Sequence, residues 1–283
     1  MMWEKRSKFI FASCLLIAGT LLSQMCLYVF YFLLDKELRL NIFQLCQSVL
    51  QYYGLTRLGH VFDAFVFLTV ALIIGVAARQ LYLCRRMSNK MLRLQNEALT
   101  MQLNEIYSER EKSITVIDHP EPIAVTMGLF NPRIVISTGL IHLLDDDELE
   151  AVIHHEMHHR HQADPLKSFV LYLFAAVLWF IPILKWSHET YKMLKEVMAD
   201  HYSINKIGSA TPLASALLKL VKYRRAQQMP AACISLLDSA VNYRIQKLID
   251  PQTEIGLKLP VAPAIISAHA LVVLCPVFIY ALF

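Results

Sequence analysis

The chain has 283 residues, of which 56% are hydrophobic and 18% charged, and its formal net charge is +4. Soluble domains are nearer a quarter charged, so much of this surface suits a bilayer better than water. The basic residues gather beside the apolar stretches, as topology signals do. They form no broad basic face interleaved with aromatics, which excludes nucleic acid as a partner. The six cysteines contain no C-x-x-C pair, so neither a disulfide framework nor a cysteine metal site is expected.

The first element is an apolar run from Phe9 to Leu34 behind Lys5, Arg6 and Lys8. It exceeds the roughly 20 residues that a crossing takes. It ends in bulky residues, not a small-residue cleavage site, and reads as an uncleaved span. A second span runs from Val61 to Cys84 and is followed by Arg85, Arg86, Lys90 and Arg93. The positive-inside rule puts both basic flanks in the cytoplasm. The loop between the spans carries Ile42, Leu45, Val49 and Tyr52, the makings of an interfacial helix. Residues 1–84 are thus two transmembrane helices with a short outer loop.

In residues 85–112, Met87, Met91, Leu94, Ala98 and Met101 recur at helical spacing, which predicts a stalk continuing the second span. The pattern then changes period. Ser113–Asp118, Ile123–Thr126 and Arg133–Ser137 are rich in β-branched residues in alternation, with Gly128 and Asn131-Pro132 as turn residues. A small sheet of two or three strands is expected. Asp145, Asp146, Asp147 and Glu148 then open a helix, where negative charge suits the helix dipole. Later helices are expected over Glu189–Asn205, Thr211–Gln227 and Ser239–Ile249. Residues 168–186 form a third apolar run broken late by Pro182, and Val261–Phe283, within 251–283, is a C-terminal span.

Residues 154–161 read H-H-E-M-H-H-R-H. They contain H-E-x-x-H as His155, Glu156 and His159. Residues four apart share a helix face, so both imidazoles can reach one metal. Glu156 follows the first ligand and can take a proton from a water that zinc acidifies to a pKa of about 7. His154, His158 and His161 lack this register and read as surface or supporting groups. Peptidase zinc sites take a third protein ligand and keep one position open. Glu196 and Asp200, four apart in E-V-M-A-D, are the candidates. Glu196 would complete the metal site, and Asp200 would orient a ligand histidine through its other ring nitrogen.

The run H-E-M-H-H-R-H-Q-A-D, with Asp164 five residues after the second histidine, resembles the BlaR/MecR-type membrane gluzincins and the related HtpX group. So does I-A-V-T-M-G-L-F-N-P-R-I-V-I-S-T-G-L before it. The stretch L-W-F-I-P-I-L-K-W is similar to the W-F-N-P region of BlaR-type proteins, and Tyr243-Arg244-Ile245 resembles a basic motif further on. The resemblance covers residues 113–250. It implies an α+β membrane protein: mostly helical, with a gluzincin-like catalytic domain, a small edge-strand sheet and three transmembrane helices. It implies His155, His159 and Glu196 as zinc ligands, one zinc per chain, Glu156 as base and acid, and Asp164 and Asp200 as supports. Arg244, His201, Tyr191 and His188 are candidates for steadying the transition state. Receptors of this type carry a β-lactam-binding domain beyond the last span. With the chain ending at Phe283, the expectation is a peptidase without it.

The third apolar run constrains topology. A single crossing would separate Glu196 from His155 by about 30 Å, whereas zinc–ligand distances are about 2 Å. Residues 168–186 are therefore expected to be buried in the domain or re-entrant. That leaves three full spans, an inner N-terminus and a catalytic domain facing the cytoplasm from the plasma membrane. The expected partners are the bilayer and a protein or peptide substrate, which adds as a strand beside Ile123–Thr126 or Arg133–Ser137. A homo-oligomer is left open, as is the substrate: a cytosolic repressor, a membrane protein or the chain itself. Two other classes are weighed. A non-catalytic signalling scaffold would not need the intact base, and a metal transporter would need ionisable residues within its spans.

Overall fold

The computed structural model describes residues 2–34, 41–107, 113–226, 244–245 and 259–274. The chain divides into two compact units. The first comprises residues 1–4, 82–169 and 192–256; the second comprises 5–81, 170–191 and 257–283.

The second unit is helical. It is built on α1 (Met2–Leu33), α2 (Ile42–Tyr52) and α3 (Thr56–Leu92), the last contributing as far as Leu81. Among the described residues, two helices are long and apolar enough to cross a bilayer, Trp3–Leu33 and Thr56–Leu92. Phe9, Leu16, Leu68 and Ile74 lie exposed along them, as lipid-facing side chains do. The inward faces pack Ala18, Met25, Tyr28, Phe43 and Val66 into one apolar core. The loop between the two expected spans does form a helix, α2. Asn41 caps it by accepting from the Phe43 and Gln44 amides, and donates to the Gln24 carbonyl of α1. Asp63 lies within the second apolar run. It accepts from Tyr28 Oη at 2.5 Å and from Gln47 Nε2 at 3.1 Å, which meets the need of a carboxylate in apolar surroundings for partners.

The third apolar run is not one helix. It is divided between α7 (Asp164–Val177) and α8 (Pro182–Ile207), with a non-helical link at residues 178–181. Proline disfavours helical backbone in the residue before it yet suits the first helical position. Pro182 therefore starts α8, seven residues ahead of the helix expected from Glu189. Of the span expected at Val261–Phe283, the described part is α10 (Val261–Leu274), an apolar helix of 14 residues. Residues 275–283 lie outside the described residues. So does the short helix expected at Ser239–Ile249, apart from Arg244 and Ile245.

The first unit holds the sheet. The expected stalk is two helices, α3 to Leu92 and then α4 (Glu97–Tyr107). Asn96 accepts from the Leu99 amide at 3.1 Å and so caps α4. The link also pairs with the sheet: the Asn96 amide donates to the Val116 carbonyl and the Asp118 amide to that of Leu94. Helical spacing continues through this link, so periodicity alone does not reveal it.

The strands β1 (Ile114–Ile117), β2 (Ala124–Met127) and β3 (Arg133–Ser137) lie in the order β1-β3-β2. β3 is central, parallel to β1 and antiparallel to β2. That corrects one expectation: both edges of Arg133–Ser137 are taken, so no substrate strand can add there. The edge of β1 is bridged by residues 94–96. The outer edge of β2 pairs with no described strand. β2 and β3 join through Gly128, whose φ of +105° glycine adopts most readily. A short helix unforeseen from the sequence, α5 (Thr138–Leu143), leads from β3 to α6 (Asp146–His161), and α9 (Thr211–Ala226) follows later. Ile134, Ile136, Leu140, Leu149, Val152 and Ile153 make the core between sheet and helices.

Candidate metal centre

α6 carries the centre, and its start is firmly built. Asp145 and Glu148 form a reciprocal capping box, each side chain accepting from the other's amide. Glu148 reaches further, to Ser215 Oγ and Lys219 Nζ, both at 2.5 Å on α9. The Ser203 hydroxyl of α8 donates to the Ala151 carbonyl at 2.7 Å. Arg160 Nε donates to the Pro132 carbonyl at 3.2 Å, tying the far end of α6 to the β2–β3 turn.

His155 and His159, one helical turn apart, present their Nε2 atoms 3.1 Å from each other. Glu196, from α8, puts Oε2 3.4 Å from His155 Nε2 and Oε1 3.7 Å from His159 Nε2. One ligand atom from each of the three residues falls within a 4.8 Å group. Their other ring nitrogens are also engaged. His159 Nδ1 lies 2.7 Å from Asp164 Oδ2. His155 Nδ1 lies 2.9 Å from Asp200 Oδ1, an electrostatic contact short of hydrogen-bond alignment.

These contacts test the fit of a metal. Carboxylates behind both rings favour the tautomers with Nδ1 protonated, leaving lone pairs on the two Nε2 atoms. Two lone pairs and a carboxylate then converge on one point, an arrangement able to hold a cation. The charge tally agrees: Glu156, Asp164, Glu196 and Asp200 supply four carboxylates, and Arg244 supplies one guanidinium beside them. A two-histidine, one-carboxylate set suits zinc.

The titration behaviour has the same cause. Burial opposes charge on His159, but Asp164 and Glu196 outweigh it and lift the imidazole to about 9. Burial and Arg244 push His155 down, yet Asp200 and Glu196 raise it overall. Burial would raise Glu196, and the two imidazoles instead hold it well below the usual carboxylate range. Asp200 is likewise lowered, against its burial, chiefly by Arg244.

Two positioning details stand out. Ala163 has φ of +50°, a left-handed conformation uncommon for residues other than glycine. It lies between the end of α6 and Asp164, so the chain turns there and α7 begins with a carboxylate aimed back at His159. Arg244 donates from Nε to Asp200 Oδ2 at 2.8 Å and from Nη2 to Oδ1 at 2.6 Å. Its Nη1 is 3.3 Å from Glu196 Oε2.

The structure thus brings together His155, Glu156, His159, Asp164, Glu196, Asp200 and Arg244. The other candidates stand differently. His201 is exposed on α8. Tyr191 and His188 belong to the second unit, where Tyr191 is buried against Phe11 and His188 lies beside Tyr172. One residue escaped the sequence reading. Thr126 of β2 donates from Oγ1 to Glu156, lying 2.7 Å from Oε2 and 2.9 Å from the carbonyl oxygen. Nothing local marks it, since threonine is ordinary in a strand.

Fold and site together define a class: a mostly helical chain whose described residues include two helices apolar enough for a membrane, a three-stranded sheet, and a histidine–histidine–glutamate cluster able to hold a metal. The family follows from comparison. The chain belongs to the BlaR1 peptidase M56 family, whose model matches residues 48–248. It is also similar to the regulatory protein BlaR1 of Bacillus licheniformis, 25% identical over 133 residues. That stretch covers 46% of this chain and 22% of the relative, so the match spans about a fifth of the relative's length.

Proposed function

We propose that this chain is an integral-membrane zinc endopeptidase with a gluzincin-type centre, multi-pass and with its catalytic unit facing the cytoplasm. The observation carrying the reading is the convergence of His155, His159 and Glu196 on one point, each histidine backed by a carboxylate. A zinc ion held there supplies Lewis acidity for water and for the scissile carbonyl.

The remaining work falls to the chain. The β2 edge offers backbone groups to a substrate strand. Glu156 is the proton carrier. Its Oε2 accepts from Thr126, which orients the carboxylate that takes the proton from the attacking water and passes it to the leaving amine. Arg244 stays charged because Asp200 outweighs its burial, and it fixes Asp200 and Glu196 in place. The relative is named a regulatory protein, and we assign this chain the same kind of task, limited cleavage of a regulatory, membrane or self substrate.

The test is Glu156→Gln in the full chain. Peptide cleavage should fall by several orders of magnitude with zinc retained. Undiminished cleavage would overturn the reading. Wild-type chain that binds zinc and cleaves nothing would favour a non-catalytic signalling scaffold.

A further inference from the structure

We infer that Thr126 is a positioning residue that ties the register of a bound peptide to the orientation of Glu156. The inference rests on the peptidase reading above. Two features of one residue carry it.

The first is the side chain. Thr126 and Glu156 are both buried, and the hydroxyl proton is shared between Glu156 Oε2 and the Glu156 carbonyl oxygen. The same hydroxyl therefore fixes the acid's side chain against its own main chain. A free carboxylate can turn about its last torsion and exchange its oxygens, because terminal torsions of this kind are broad. With Oε2 held by the hydroxyl, the two oxygens become inequivalent and the carboxylate keeps one orientation for proton transfer.

The second is the backbone. β2 pairs with β3 in the register Ala124↔Ile136, Val125↔Val135, Thr126↔Ile134 and Met127↔Arg133. The Ser137 amide donates to the Ile123 carbonyl, which makes positions 123 and 137 a hydrogen-bonded pair. Antiparallel pairs alternate, so 125 and 127 bond to β3 while 124 and 126 turn their N–H and C=O outward. The far side of β3 agrees, since the Ile134 amide donates away from β2, to the Ser113 carbonyl of the segment leading into β1. The Thr126 backbone thus faces the open edge while its side chain holds the base. A peptide pairing at that edge is anchored to the residue that orients the proton carrier.

The inference is tested with Thr126→Val and Thr126→Ser in the full chain in detergent, alongside wild type and Glu156→Gln. Cleavable sequences are found with a mixed library of unmodified peptides read by mass spectrometry. One such peptide is then used for kcat and KM, and zinc per chain is measured in every sample. Valine keeps the β-branched shape and removes the hydroxyl. The expected result is unchanged zinc, KM within about twofold and kcat down about ten- to a hundredfold, the scale for lost supporting hydrogen bonds. Thr126→Ser should recover most of that loss.

If the valine variant does not fold, Thr126→Ala removes the hydroxyl without forcing a methyl against Glu156, and the same split is expected. Unchanged kcat in a hydroxyl-free variant overturns the role. So does a loss that follows zinc loss, or one that serine does not rescue, since either marks a merely structural contact. Glu156→Gln separates the two levels. If it cleaves like wild type, the peptidase reading fails. If it is dead while Thr126→Val is normal, only this inference fails.

Discussion

Arg244 grips Asp200 through two hydrogen bonds of 2.8 and 2.6 Å, and Asp200 in turn faces His155 Nδ1 at 2.9 Å. The guanidinium reaches His155 through Asp200 and touches Glu196 directly. Removing one member of a buried, hydrogen-bonded ion pair costs about 3–5 kcal/mol, because the other charge is left uncompensated. Arg244→Met is therefore expected to lower the melting temperature and weaken zinc retention together. Asp200→Asn keeps the shape and should weaken zinc retention about tenfold or more, in line with lost supporting carboxylates. Zinc dialysis against a graded chelator series reads both. Retention equal to wild type in both variants would detach this pair from the site.

Ala163 supplies a backbone prediction. Its left-handed conformation costs an alanine roughly 1–2 kcal/mol, whereas glycine adopts it freely at an unfolded-state cost of roughly 0.4–1 kcal/mol. Ala163→Gly should therefore stabilise the chain by about 0.5–1 kcal/mol. Ala163→Val should destabilise it and displace Asp164 from His159. Thermal melts in detergent check the sign. A glycine variant that melts below wild type would show that the turn is not strained.

Glu148 gives the pH dependence. Burial works to raise its pKa, but the hydrogen bonds from Lys219, Ser215 and the Asp145 amide outweigh that and lower it. A carboxyl depressed on folding stabilises the native state above its unfolded pKa of about 4.3. That contribution is lost as pH falls through the lower folded value. Wild type should therefore exceed Glu148→Gln in melting temperature at pH 7, and the gap should close towards pH 3. A gap of the same size at both pH values would contradict an ionised Glu148.

Much of the centre was legible because its signals are local. H-E-x-x-H places two imidazoles on one helix face by geometry alone, and Glu196 and Asp200 share a face for the same reason. The strands were visible as β-branched alternation. What stayed hidden depends on distant partners. The break at residues 93–96 follows from pairing with β1, not from local composition. Thr126 matters through a helix 30 residues away in sequence, and β3 is central only because β1 and β2 flank it. The division of 168–186 was half legible: Pro182 marked a break, but its role as the start of α8 shows only once the helix is seen.

The central claim is that Glu196 completes a zinc centre with His155 and His159. Its most direct test is zinc per chain in detergent-purified wild type and Glu196→Ala, with folding checked by thermal melt. The expected result is about one zinc in wild type and a large loss in the variant, as for a three-ligand site reduced to two. Equal zinc in both folded proteins would contradict it, removing Glu196 from the site and reopening how residues 168–191 return the chain to the first unit.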